Sequence, residues 1–294
     1  SKTMKRLTAF VLGTLLAMPA VAEEVNKRLD AASDGEVYVS NISGSITING
    51  WSRNEVEVRG ELGRNVEELI FERDGDKVTI KVKVPRNSGR GIESVLNIQV
   101  PEGSSIDVGT VSADIEVEDV HGEQKLNTVS GNIETEGGKS DISAAAVSGD
   151  IEVDGQRQEA ETRANTVSGD VTLFRVAGTV SAESVSGDVI VDEGSFDRVG
   201  LNTVNGEILF QAQLRDGGKL KAETVNGDVD LEFADGVSGR FEIDTFNGDI
   251  DNCFGGKPER TSKYTPGWEW SHEDTKGDAR IDVSTLNGDV TICR

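Results

Sequence analysis

The sequence predicts an all-β fold: a single-stranded parallel β-solenoid, or β-helix, of 18–21-residue coils with an irregular β cap on its N-terminal side. Three observations predict it. A five-residue motif recurs along the chain, the step between copies is nearly constant, and apolar residues alternate with polar ones on both sides of each copy.

The motif is a hydrophobic residue, Ser or Asn, Gly, an acidic or amide residue, then Ile or Val. It reads VSGNI at 129–133, VSGDI at 147–151, VSGDV at 167–171 and 185–189, VNGEI at 204–208, VNGDV at 225–229, FNGDI at 246–250 and LNGDV at 286–290. Weaker copies are ISGSI at 42–46 and VSADI at 111–115. From Ala113 through Gly131, Gly149, Gly169, Gly187, Gly206 and Gly227 to Gly248 the steps are 18, 18, 20, 18, 19, 21 and 21 residues. Units this short cannot bury an apolar face alone, whereas stacked in register they enclose one core. Eight copies at a strand spacing of ~4.8 Å make a rod segment roughly 35–40 Å long.

Each unit is two short strands meeting at a corner. Positions +2 and +4 after the Gly are apolar, as in Val171 and Leu173 or Val229 and Leu231, while +3 and +5 mostly are not. Positions −7 and −5 are apolar or small, as in Leu220 and Ala222 or Phe241 and Ile243, with Thr at −3 and another hydrophobe at −2. That is period-2 alternation, and Gly at the corner supplies a positive φ. The −3 column of Thr110, Thr128, Ala146, Thr166, Ser184, Thr203, Thr224, Thr245 and Thr285 must bond to itself or to backbone if it faces inward. The corner residue changes from Ser (112 to 186) to Asn (205 to 287) in two unbroken blocks, which like-on-like stacking explains. After the Gly comes an acidic column from Asp114 to Asp289, which splays into solvent, bonds to turn amides or holds cations. Its spacing matches no calcium-loop pattern, so capping by Asp is the expectation and no metal is assigned.

The iterated VSGD and VNGD turns on an acidic chain, with CFGGKP at 253–258, resemble a bacterial domain-of-unknown-function family of exported β-strand-repeat proteins labelled "putative adhesins". The resemblance covers most of residues 35–294. It implies the repeat architecture and a binding role, and it carries no catalytic residue across.

Residues 1–22 read as a signal peptide, with residues 1–3 preceding the start Met4: Lys5 and Arg6, an apolar run from Leu7 to Met18, then an Ala20-Val21-Ala22 cleavage site. The protein is therefore expected to be exported, to the periplasm or onward to the cell surface or medium, with no transmembrane segment in the mature chain. Residues 23–104 read as an N-terminal β cap or degenerate first coils, with strand-like runs such as the alternating 77–84. Residues 105–294 are then the β-solenoid proper. Within it 254–278 lacks alternation and reads as an inserted loop.

Cys253 and Cys293 both stand five residues after a repeat Gly. With the insert looped out, their coils are adjacent and within disulfide range, and export permits oxidation. Two free thiols are the alternative, because stacked side chains point the same way.

The chain carries 30 basic and 53 acidic side chains, a net charge of −23, and only two His and two Cys. That is the wrong sign for nucleic acid, and it excludes a His/Cys zinc cluster. No nucleophile elbow, phosphate loop or clefted carboxylate pair appears, so no enzyme activity and no cofactor are assigned. The candidate contacts are Phe174, Ile190 and Leu209, an apolar strip among outward carboxylates, and Tyr264, Trp268 and Trp270 of the insert. The insert either covers the strip, plugs a coil edge or stacks on sugar rings. The reading is a non-catalytic adhesin or binding module of the cell envelope, with a structural scaffold acting through protein contacts as the alternative. The partner is an envelope protein or a glycan, and weak self-association is allowed.

Overall fold

The computed structural model describes residues 22–87, 89–137 and 139–294. The predicted export signal lies, apart from Ala22, outside the described residues. The described residues are all-β, without a helix. An N-terminal group holds β1 (Glu23–Asp30), β2 (Glu36–Trp51), β3 (Glu55–Leu62), β4 (Glu68–Asp74), β5 (Lys77–Lys83) and β6 (Glu93–Pro101). The middle runs through β7 (Ser105–Glu118), β8 (Gln124–Ser130), β9 (Ile133–Glu136), β10 (Ile142–Ser148), β11 (Ile151–Asp154), β12 (Glu159–Asn165), β13 (Val171–Glu183), β14 (Val189–Asn202), β15 (Ile208–Asn226) and β16 (Val229–Phe233). The remainder is β17 (Gly239–Asn247), β18 (Ile250–Asn252), β19 (Glu259–Arg260), β20 (Trp268–Glu273), β21 (Ala279–Asn287) and β22 (Val290–Cys293).

In the middle, each repeat pairs in parallel and in register with the next. Ile133 faces Ile151, Ile151 faces Val171, Val171 faces Val189 and Val189 faces Ile208. The residues that alternation sends inward are buried, among them Val153, Leu173, Val191 and Phe210, each at 0% exposure. Each such side chain contributes about 1.5–3 kcal/mol by leaving water. Phe196, Phe210 and Phe233 form an interior aromatic file with centroids 5.9 and 5.5 Å apart.

The corner is built by backbone contact. A Cβ on Gly227 would lie 1.8 Å from the Gly206 carbonyl oxygen, and the same clash recurs at the repeat glycines from Gly131 to Gly288, so Gly lets these layers approach, while Ala113 and Ser94 hold the position in the layers on either side of Gly44. The inward hydroxyls use that oxygen too. Thr203 donates to the Gly187 carbonyl at 2.9 Å, Thr224 to that of Gly206 at 3.1 Å and Ser184 to that of Gly169 at 2.9 Å. The Thr column therefore bonds mainly to backbone; only Thr110 also donates to Thr128, at 2.8 Å.

Two corrections concern the ends, where antiparallel pieces make the sheet mixed rather than parallel throughout. First, spatial order departs from chain order. The layer of β15 and β16 is followed by β21 and β22, and only then by β17 and β18. At the other end β2 lies between β7 on one side and β5 with β6 on the other, so Gly44 faces Ala113 directly although 69 residues separate them. Second, the segment read as a loop contains β19 and β20, and β20 runs antiparallel along β17, with Ile243 opposite Trp270. Antiparallel β4 on β5, and β3 with β1 on β6, cover the opposite end. A parallel ladder leaves a row of open N–H and C=O groups at each end, and these strands satisfy them.

Candidate functional site

The outermost layer is closed by an aromatic plug. Trp270 is 2% exposed, lies 5.7 Å from Phe241, stacks on His272 at 5.5 Å, and donates its indole N–H to the Gly255 carbonyl at 3.2 Å. It is thus unavailable as a ligand contact, because the apolar floor of the last layer needs a lid. Trp268 is half-buried beneath the Arg260 guanidinium, 4.7 Å from its ring. Tyr264 is 87% exposed. A disulfide joins Cys253 to Cys293 with Cα atoms 4.9 Å apart, tying the outermost layer to the one beneath it.

The strip of Phe174, Ile190 and Leu209 is dispersed. Ile190 faces Leu209, but Phe174 faces Asp192 in the next column, and all three are half-buried. The Arg175 guanidinium sits 4.9 Å from the Phe174 ring. The insert packs along β17 and does not reach these side chains, which removes it as their cover.

The acidic turn column is occupied by backbone. The Asp170 amide donates to Asp150 Oδ1 at 2.9 Å, that of Asp188 to Asp170 at 2.8 Å and that of Glu207 to Asp188 at 2.8 Å. One carboxylate oxygen per layer is thereby spent on the layer above. Asn side chains do the same from Asn226 to Asn205 at 2.8 Å, Asn287 to Asn226 at 2.8 Å and Asn247 to Asn287 at 2.7 Å, following the spatial order of the layers. Among the described residues no group of three or more His, Cys, Asp or Glu is placed to hold a metal ion. On the post-corner face Glu116, Glu134 and Glu152 stack in register. Partial burial first, then repulsion from Glu152, Glu116, Glu118 and Glu136, pushes the Glu134 carboxyl above its ordinary pKa.

The feature missed from sequence is the −2 column. Val111, Val129, Val147, Val167, Val185, Val204 and Val225, then Leu286 and Phe246, are 38–48% exposed and run the length of the stack at the corner. Parity carried the signal, since a residue between inward positions −3 and the corner points outward. Isolated exposed valines are ordinary, whereas a continuous file of apolar side chains marks a contact surface. The ridge is bordered on one side by the Ser and Asn corner and, beyond it, by the acidic column.

The model of the Toastrack DUF4097 family matches residues 21–189 and 176–293. The chain belongs to this family. Toastrack DUF4097 thus accounts for both the irregular N-terminal layers and the regular repeats. A comparison with curated proteins finds no match. Among solved structures, similar chains include a "putative adhesin" from Bacteroides fragilis, at 9% identity and a TM-score of 0.43, covering 93% of this chain and 98% of that one. Others are a "putative lipid binding protein" from Parabacteroides distasonis (13% identity, TM-score 0.43, covering 92% of this chain and 96% of that one) and a "putative cell adhesion protein" from Clostridium sporogenes (12%, 0.26, covering 93% and 99%). These TM-scores are low, so the ligand words in those names stay with those proteins. No helix among the described residues is long and apolar enough to cross a membrane.

Proposed function

We propose that this Toastrack protein is a non-catalytic binding module of the bacterial cell envelope: a β-solenoid over residues 105–294 whose layers stack in parallel beneath the antiparallel strand β20, continued and capped by residues 23–104, that holds a partner along its apolar corner ridge. The stacked, exposed file from Val111 to Phe246 carries the proposal. Aliphatic side chains at regular pitch suit an apolar protein surface better than a sugar ring, which stacks on aromatics. That favours an envelope protein over a glycan as the ridge's occupant, and it leaves adhesin and scaffold as two uses of one surface. Export is supported by the signal-like residues 1–22 and by the disulfide, which persists in oxidising compartments.

The test is site-specific photo-crosslinking in living cells. A crosslinker at Val167 or Val185 captures a discrete protein, one at Glu116 on the acidic face does not, and Val204→Lys abolishes the capture. Crosslinks arising only from Tyr264 or Trp268, together with glycan-array binding lost in Trp268→Ala, would refute the ridge and restore the insert as the contact.

A further inference from the structure

A stripe of cations on this strongly acidic chain is left unexplained by the ridge. On the pre-corner strands of four successive layers one outward position holds Arg198, Lys219, Arg280 and Arg240, each facing the next in register. Two residues along each strand, the next outward column holds Arg163, Ser181, Gly200, Lys221 and Asp282. Arg163 pairs with Glu161 at 2.5 Å, Lys221 with Glu223 at 2.8 Å and Arg240 with Glu273 at 3.7 Å. Arg198, Lys219 and Arg280, the contiguous run, are exposed and have no ion-pair or hydrogen-bond partner among the described residues. Cations one strand spacing apart, ~4.8 Å, repel one another. Several other cations of the chain are paired, as with Arg28 and Arg59 on Glu57, Arg175 on Asp154 and Arg215 on Glu159 and Asp197.

Beside the run the surface is hollow. Gly200 has no side chain, a Cβ there would meet nothing nearer than the Val180 carbonyl at 3.9 Å, and the resulting shallow concavity measures about 540 Å³. That volume falls in the range of small-ligand sites, about 300–1,000 Å³. A bare oxyanion would need only the cations. A flat ring bearing anionic groups uses both the cations and the hollow. The ligand is also short, because Glu161 and Asp282 border the concavity and the net charge of −23 repels whatever extends past the stripe.

We propose that this stripe binds a short anionic saccharide, its sulfate, phosphate or carboxylate groups bridging Arg198, Lys219 and Arg280 while a ring lies over Gly200 and Ser181. The site lies six residues along the strand from the ridge, about 20 Å, and stands or falls independently of it.

The test is calorimetric titration of the whole chain with sucrose octasulfate as probe, against sucrose and inorganic sulfate. Octasulfate binds with an affinity that falls as salt rises, sucrose does not bind, and inorganic sulfate binds at least about tenfold more weakly. The triple change Arg198→Gln, Lys219→Gln, Arg280→Gln lowers octasulfate affinity by about tenfold or more, whereas Lys257→Gln leaves it unchanged. Lys219→Gln alone melts at or above the unmodified temperature, since it relieves repulsion, yet binds more weakly; it decides the matter if the triple variant fails to fold. Absent binding, or binding undiminished in these variants, overturns the proposal. Sulfate binding as tightly as octasulfate overturns the saccharide class. Stripe-dependent retention on phosphatidylglycerol vesicles without octasulfate binding assigns the surface to a membrane instead.

Discussion

The middle of the stack and its ends obey different rules. Between β8 and β16 every layer is followed in space by the next in sequence, and every pairing between layers is parallel. At both ends the chain runs past one layer, builds the outermost one or returns to fill the gap, and finishes with antiparallel strands. A middle layer has an identical neighbour on each side to take its backbone groups, its Thr hydroxyl and its turn carboxylate. An end layer has one. The antiparallel strands, the Trp270 plug and the disulfide supply what the missing neighbour does not.

Removing the disulfide gives the largest expected effect on that contrast. The closed loop spans 40 residues, and Cys253→Ser with Cys293→Ser costs about 4 kcal/mol in the chain-entropy model. The loss is local: amide hydrogen exchange speeds at Ile243 and Ile250 and stays unchanged at Val171 and Val189. Uniform acceleration across the stack would mean that ends and middle form one cooperative unit.

The next effect belongs to the middle. Gly227→Ala forces a Cβ onto the Gly206 carbonyl and lowers stability by about 3 kcal/mol or more, while Gly200→Ala, whose Cβ meets nothing within 3.9 Å, changes it by less than about 1 kcal/mol. Urea denaturation of both variants measures the difference; equal losses would show that the corner contact does not set the layer spacing.

How much of this was legible from sequence follows the same division. Period-2 alternation and the turn glycines determine the middle, because each layer's environment is another copy of itself. The reordered ends are invisible to the motif. FNGDI at 246–250 and LNGDV at 286–290 offer the same backbone groups, the same Asn and the same Asp, so either suits the position next to Gly227. What selects is the connection, a tight Ala234-Asp235-Gly236 turn against the hairpin of β19 and β20, and the fit of Phe241 beneath Trp270. The ridge was legible through parity but was masked by reading hydrophobes as interior. The cation stripe was carried by the motif, since Arg198, Lys219, Arg240 and Arg280 each stand eight residues before a repeat Gly; only the registers set Arg280, rather than Arg240, next to Lys219.

The smallest effect sharpens the cost of repetition. The register that bonds Asn to Asn also stacks Glu116, Glu134 and Glu152, and Glu134 holds its proton more tightly in the folded chain than in the unfolded one. Ionising it therefore opposes folding: the penalty is absent below the unfolded value, about pH 4.3, grows as pH rises through the elevated folded value, and is complete at neutrality. Glu134→Gln accordingly raises the melting temperature slightly at neutral pH and leaves it unchanged in acid. A gain that persists in acid would assign the effect to something other than charge.

The order of the layers also bears on how such a chain is delivered. Strands β17 and β18 emerge before β21 and β22 yet rest upon them, so the outermost layer has no seat until residues 279–293 arrive. A product interrupted before residue 279 presents β17 and β18 unseated, with Cys253 unpaired and the surface of β15 and β16 bare. Arrival of residues 279–293 is thereby made a condition of closing the outermost layer, and a protease that recognises loose strands can sort chains that have them from chains that do not.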